Sequence, residues 1–384
     1  MRKIKKYVPI LLACLLSVAM LGCGQARPST QPNKGMSGTE NKPVSGTENK
    51  SVGSNSPEMK TLTLKTSIQS PPKAALSKGF DAFLDEVETK SKGRIKFERF
   101  YSESLAKAAD QFNALSTGIA DVSMFVPTYT PGKLPLANVS SNPALWEDSW
   151  VGSKAFNDLY QSIPEMQQEL EKNQVKFVGQ YATPAYYPIT TKPVHKIDDL
   201  KGLKVIATGQ LGVLAKELGA VPVGIPITDS FEAMQRKTID GVFYGVTAAT
   251  TYGLEQSAKY IWKLPVGGSA GIIGMNLNTW KKLPKDIQDI IIDVGSNSHP
   301  SAFHKIYQIE GDDAAFKKFQ DAGATITQPT TDDLNQLKEI AKSATWSKWI
   351  QDVNAKGLPG QKVFDTFVEK VAKYEKENPF KSGK

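Results

Sequence analysis

The chain beyond residue 60 is predicted to be α/β, and three observations predict it. Apolar and polar residues alternate over short runs, the two-residue period of a half-buried strand. Between those runs, apolar residues recur every three or four positions, as one face of a helix does. Glycine and proline fall at the joints, where turns begin and helices stop.

The elements follow in order. Leu62 and Leu64 alternate with Thr61, Thr63 and Lys65, a first strand that ends before Pro71 and Pro72. Leu76, Phe80, Phe83 and Val87 share a helix face, and Gly93 stops that helix. Residues 94–100 read as a strand, 105–117 as a helix, and 121–126 as a strand that runs into a loop with Pro127, Pro131 and Pro135. Strands follow at 175–178 and 204–207. Leu211, Leu214 and Leu218 mark a helix stopped by Gly219. Asp229-Ser230-Phe231-Glu232 has the form of a capping box and opens a helix through Lys237. Strands are expected at 240–244 and 271–277. Pro284 stands at a helix start, with Ile287, Ile290 and Ile291 inward. Residues 331–378 read as mostly helical, with Phe364, Phe367, Val368 and Val371 on one face. No apolar run of this body reaches the length of about 18 residues that a spanning helix needs.

The N-terminal segment has a different character. Arg2, Lys3, Lys5 and Lys6 precede an uncharged run, residues 7–22, that ends in Met20-Leu21-Gly22-Cys23. A basic stretch followed by a short apolar one reads as an export signal. Its end resembles a bacterial lipobox, in which the cysteine is acylated and becomes the new N-terminus. Leu21 is bulkier than the residue usual at its position. Residues 1–22 are therefore expected to be a lipoprotein signal peptide with Cys23 lipidated; an uncleaved anchor is the competing reading. Either places the body outside the cytoplasm on a membrane surface. Residues 23–60 are expected to be a flexible, lipid-anchored linker. They are rich in small polar residues, repeat Ser-Gly-Thr-Glu-Asn-Lys twice, and carry too little apolar surface to offset ordering. Such a leash has a reach of about 30–35 Å.

Composition narrows the function. The 384 residues carry a formal charge of +8, and the four basic residues of the signal account for half of it. The remaining bases are scattered and form no aromatic-interleaved groove of the kind that grips nucleic acid. Both cysteines, Cys14 and Cys23, lie in the signal region, so neither a disulfide framework nor a thiolate metal site belongs to the body. His195, His299 and His304 lack the spacing of paired metal ligands. Gly267-Gly268-Ser269-Ala270-Gly271 matches the nucleophile-elbow pattern, but the following segment reads as a strand where that chemistry needs a helix. No cofactor motif occurs. An exported α/β body without catalytic equipment points to binding.

A family likeness then emerges. Asp199-Leu200-Lys201-Gly202-Leu203-Lys204-Val205 is followed by Leu218-Gly219-Ala220-Val221-Pro222-Val223, by Phe231-Glu232-Ala233-Met234-Gln235, by Ile239-Asp240-Gly241 and by Trp280-Lys281-Lys282-Leu283-Pro284. In this order the chain resembles the solute-binding proteins of tripartite ATP-independent periplasmic (TRAP) transporters, the DctP-like family, over about residues 61–330. The resemblance implies a two-lobed, periplasmic-binding-protein-like fold that closes on a small organic solute in a cleft. It also implies docking onto a small and a large integral membrane subunit. Lobe I is expected at 61–183 with 270–309, and lobe II at 184–269 with 310–384.

The chain departs from the family where the solute is held. The arginine usual after the Asp-Leu-Lys-Gly-Leu-Lys segment is Ile206, a second falls at Tyr186 or Tyr187, and a frequent asparagine falls at Tyr244. Only Arg94, Arg99 and Arg236 remain in the body. The usual anion clamp is therefore expected to be missing, and the pocket to be built of aromatic and neutral polar groups. The candidates are Gln69, Tyr129, Trp146, Tyr186, Tyr187, Gln210, Phe243 and Tyr244, each otherwise a core or loop residue. Arg99 joins them as a strand residue that either turns into the cleft or snorkels to water, and Lys65 and Lys133 remain sources of charge. Three further readings stand beside this one: an ATP-driven importer's receptor, an exported hydrolase using Ser269, and a surface adhesion lipoprotein.

Overall fold

The computed structural model describes residues 61–381. The signal peptide, Cys23 and the linker lie outside the described residues. Among the described residues, eleven strands form two sheets. The first holds β1 (Leu62–Ser67), β2 (Ile95–Phe100), β3 (Val122–Phe125), β4 (Val175–Ala182) and β10 (Ala270–Asn276), in the order β2-β1-β3-β10-β4. The second holds β5 (Tyr187–Thr190), β6 (Lys204–Ile206), β7 (Val221–Val223), β8 (Gly241–Tyr244), β9 (Tyr260–Trp262) and β11 (Thr325–Thr327), in the order β11-β9-β5-β8-β6-β7.

The pairing shows how the chain travels. β1 runs parallel to β2 and β3, whereas β10 is antiparallel to both β3 and β4. In the second sheet, β6 is parallel to β7 and β8, and β5 is antiparallel to β8 and β9. The chain leaves the first sheet after β4 and re-enters it at β10, which lies between β3 and β4 and is buried along its whole length. Burial on both faces explains its nearly continuous apolar sequence, Ala-Gly-Ile-Ile-Gly-Met.

Each sheet is covered by helices on both faces, because both faces are apolar. On one face of the first sheet, helix Ala75–Lys90 buries Phe80, Phe83, Leu84 and Val87 against Val178, Ile273 and Phe303. On the other, helix Ser149–Ser162 buries Phe156 and Leu159 beside Phe177 and Ile272. The second sheet packs Leu211 and Leu214 of helix Gly209–Glu217 on one side. Ala315 and Phe319 of helix Gly311–Asp321 pack on the other. Each fully buried Leu or Phe contributes about 1.5–3 kcal/mol.

Some local expectations are corrected. Asp229 does not cap the helix that follows it: a short 3-10 turn, Ile227–Asp229, runs straight into helix Ser230–Gln235, and the Ser230 hydroxyl donates back to the carbonyl of Ile227. A capping box is formed instead at Thr330, whose hydroxyl accepts from the Asp333 amide while the Asp333 carboxylate accepts from the Thr330 amide. Val368 is exposed, one position off the buried stripe of helix Gly360–Glu377. Of the expected lobe II segment 310–384, the described part, to residue 381, does not stay with one sheet. β11 and helix Gly311–Asp321 belong to the second, but helices Ser347–Asn354 and Gly360–Glu377 return to the first, where Trp349, Phe364 and Phe367 join the cluster around Phe156.

Candidate solute-binding cleft

The parallel strands β1, β3, β6 and β8 end at a common region, the place where open α/β sheets present ligand sites. A cavity opens there between the two sheets. From the first-sheet side come Gln69 after β1, Val126 after β3, Tyr181 on β4, Ser269 before β10, and Tyr307 on the helical run that follows His304. From the second-sheet side come Tyr186, Ile227, Tyr244 at the end of β8, and Thr251 with Tyr252 at the end of helix Val246–Thr251. Five tyrosines thus face one space. The Tyr186 and Tyr244 rings stack with centroids 4.6 Å apart and planes at 16°. A second small cavity adjoins it through Val126, Tyr186, Tyr244 and Ser269, and adds Thr128, Ser141, Thr208 and Phe243.

No charged side chain is among the residues lining either cavity. All three arginines of the described residues are engaged elsewhere. Arg94 pairs with Asp286 and Arg236 with Glu232, while Arg99 bridges Asp81, Asp85 and Glu88 across helix Ala75–Lys90. Arg99 is thus corrected: Ile95 and Phe97 on its strand face are apolar, but its guanidinium reaches out to the helix carboxylates. Lys133 donates to Asn113, away from the cavity.

The tyrosines stay protonated. Burial pushes the phenols of Tyr129, Tyr181, Tyr244, Tyr252 and Tyr307 above their ordinary range. The charged groups acting on them are carboxylates: Glu103 on Tyr129 and Tyr252, Asp229 on Tyr129, and Asp312 on Tyr307. Two polar atoms at the cavity have no protein partner, Gln69 Oε1 and Ser269 Oγ. Gln69 is only 6% exposed, so its amide is a desolvated hydrogen-bonding edge. The cavity measures about 30 Å³, room for one or two waters, so a solute larger than that requires its walls to move apart.

The contacts across the cleft suit such movement. Tyr129 Oη lies 3.5 Å from Tyr244 Oη and accepts from the Ile227 amide at 3.4 Å. Thr208 donates to Thr128 at 3.1 Å, and the Gln210 amide donates to Ser141 Oγ at 3.2 Å. These are neutral hydrogen bonds of about 0.5–1.5 kcal/mol each. At Gly209, with φ +58°, the backbone adopts the left-handed conformation that glycine tolerates. A Cβ there would also press on Ser141 and Thr128 of the opposite wall.

The candidates from sequence divide accordingly. Gln69, Tyr186 and Tyr244 line the main cavity, Phe243 lines the adjoining one, and Tyr129 touches Tyr244 from the cleft mouth. Gln210 stands at a helix start beside Ser141, its side-chain oxygen buried without a partner. Trp146 is a core residue: its indole donates to the Thr183 carbonyl at 3.1 Å and packs edge-on against Phe367. Tyr187 points the opposite way from Tyr186, as strand alternation requires, and its ring meets Phe316. Tyr181, Tyr252, Tyr307 and Ser269 line the site without having been singled out as ligand contacts. Ser269 has no histidine among its neighbours on the cavity wall, and His304 is committed to Ser149 Oγ at 2.9 Å. Among the described residues, no cluster of three or more His, Cys, Asp or Glu is placed to hold a metal, and no helix is long and apolar enough to cross a membrane.

The model of the bacterial extracellular solute-binding protein family 7, DctP, matches residues 66–352. The chain belongs to this family. Family 7 proteins are receptors for solutes rather than enzymes. A solute-binding protein of Albidiferax ferrireducens is 25% identical over 280 residues, which cover 70% of this chain and 79% of the relative. The C4-dicarboxylate-binding protein DctB of Bacillus subtilis is 32% identical over 165 residues, covering 41% of this chain and 46% of the relative. The fold matches a TRAP solute-binding protein of Rhodoferax ferrireducens, crystallised with copurified benzoate, at TM-score 0.77 and 23% identity, over 83% of this chain and 99% of the other. It also matches a TRAP periplasmic solute-binding protein of Bordetella bronchiseptica with bound mandelate, at TM-score 0.73 and 22% identity, over 81% and 99% of the two chains. The family 7 fold is two-lobed, and this chain correspondingly builds two helix-covered sheets.

Proposed function

We propose that this family 7 protein is an extracytoplasmic receptor that captures a small organic solute between its lobes and hands it to a TRAP-type membrane transporter. The observation that carries the reading is the tyrosine-lined cavity between the two sheets, at the ends of β1, β3 and β8. Solute touching both walls favours the closed form over the open one, and closure is the signal a membrane partner can read. The proposed ligand contacts are Gln69, Tyr181, Tyr186, Tyr244, Tyr252, Ser269 and Tyr307, with Tyr129 and Phe243 beside them. The lipidated Cys23 and the linker keep the receptor at the membrane, within reach of the small and large integral subunits.

A thermal-shift screen of the protein against small metabolites tests the receptor reading. A true ligand at 100 times its Kd stabilises by about 2.7 kcal/mol. A screen that spans acids, aromatics and polyols and yields no stabilising solute refutes it. Membrane attachment has its own test: Cys23→Ala is expected to release the protein from the membrane fraction, and unchanged fractionation rejects the anchor.

A further inference from the structure

We propose that the solute of this receptor is an uncharged ring-bearing molecule with a hydrogen-bonding edge, held without a carboxylate anchor. This rests on the receptor reading above and specifies its ligand class. Three features lead there. A buried charge needs a counter-charge or a dense set of hydrogen bonds, and an unpaired one is costly. The two adjoining cavities offer no cation to an anionic solute. Arg94, Arg99 and Arg236 are all held by surface carboxylates. A cationic solute fares no better, because no carboxylate lines the walls.

The wall chemistry selects for flat, weakly polar surface. Tyrosine rings with Leu76, Val126 and Ile227 offer apolar faces to a ring. At the edge of that space, the Gln69 side-chain oxygen and the Ser269 hydroxyl are the unpartnered atoms. An amide presents a donor and an acceptor side by side, and a hydroxyl presents either. Their complement is a carboxamide, a hydroxyl or a lactam-like ring edge. A carboxylate only accepts, and leaves Gln69 Oε1 without a partner.

The test uses matched series on the full-length protein by titration calorimetry. Each series keeps one ring and varies one group: benzoate, benzamide and benzylammonium, with the corresponding sets on phenol and pyridine rings. The neutral member of at least one series is expected to bind tenfold or more tighter than both charged members. Gln69→Leu is expected to weaken that binding at least tenfold, while Arg99→Ala leaves it within twofold. Should Gln69→Leu fail to fold, Gln69→Glu keeps the shape and adds a charge, and is expected to move preference toward the ammonium member. Tighter binding of a carboxylate or ammonium member to the parent protein overturns the inference and leaves the receptor reading standing. Unchanged binding in the Gln69 variants also overturns it. Absence of binding in every series overturns the inference, while the receptor reading stands or falls with the broader thermal-shift screen.

Discussion

The Asp312 carboxyl sits in a half-buried position and accepts a hydrogen bond from Thr247 at 2.6 Å. Burial pushes it up to about 7, with the nearby Asp313 adding to the shift. An unfolded aspartate titrates near 3.9. The folded form therefore holds the proton more tightly, and the stability this gives is complete below about pH 4 and is lost as pH rises through about 7. Asp312→Asn keeps the acceptor for Thr247 and removes the titration. Its melting temperature is expected to fall less between pH 5 and pH 8 than that of the parent, as measured by calorimetry at the two pH values. Arg99→Ala breaks a partly buried ion-pair cluster and is expected to cost about 0.5–1 kcal/mol in denaturant unfolding.

The same scale shows what a single chain reveals of a site. Tyr186, Tyr244 and Gln69 were legible, because the first two replace expected polar anchors and the third sits in a loop after a strand. Tyr181, Tyr252 and Tyr307 were not. Tyr181 occupies a strand position that reads as core, and Tyr252 and Tyr307 follow or lie on helices whose apolar faces already account for an aromatic residue. Only the crossing of the chain between sheets brings these three rings to one space. Arg99 misled because alternation along a strand fixes the direction of a Cβ, whereas a long guanidinium side chain reaches past it.

At the scale of elements, the close fit of β10 to β4 depends on glycine. A Cβ on Gly271 would clash with the buried Tyr181 ring and push it toward the cavity. Gly271→Ala is expected to destabilise by about 1–3 kcal/mol. It should also weaken solute binding, since the displaced ring is part of the cavity wall; a variant that loses stability at unchanged affinity would separate the two roles. The capping box at Thr330 holds the start of helix Thr331–Ile340. Thr330→Ala is expected to cost about 1 kcal/mol by thermal unfolding. Strands and helices with long periodic patterns were readable, as at Leu76 to Val87. The three-residue strands β7, β9 and β11 are too short to show a period, and their existence depends on the neighbours that pair with them.

For the molecule as a whole, the tail is structural. Helix Gly360–Glu377 lays Phe367 against Trp146 and Phe156, so the last helix of the described residues completes the core of the first sheet. Truncation before Gly360 exposes that cluster and is expected to yield aggregated or protease-sensitive protein, measured by limited proteolysis beside the full chain. The α/β class was legible from alternating periods alone, whereas the two lobes came from the family resemblance. The return of the C-terminal helices to the first sheet was not, because an amphipathic face does not say which of two apolar sheets it will meet.

The bridges across the cleft described above join Tyr129 to Tyr244, Thr208 to Thr128 and Gln210 to Ser141, hydroxyls and amides throughout. Dissolved salt acts on charges, and raising it from 0.15 M to 1 M shortens the screening length from about 8 Å to about 3 Å. Uncharged bridges around an uncharged pocket leave that change little to act on. Closure and solute affinity should then hold from fresh water to brine, within about twofold between 50 mM and 500 mM sodium chloride. A receptor exposed outside the cell meets that range without the control a cytoplasm provides.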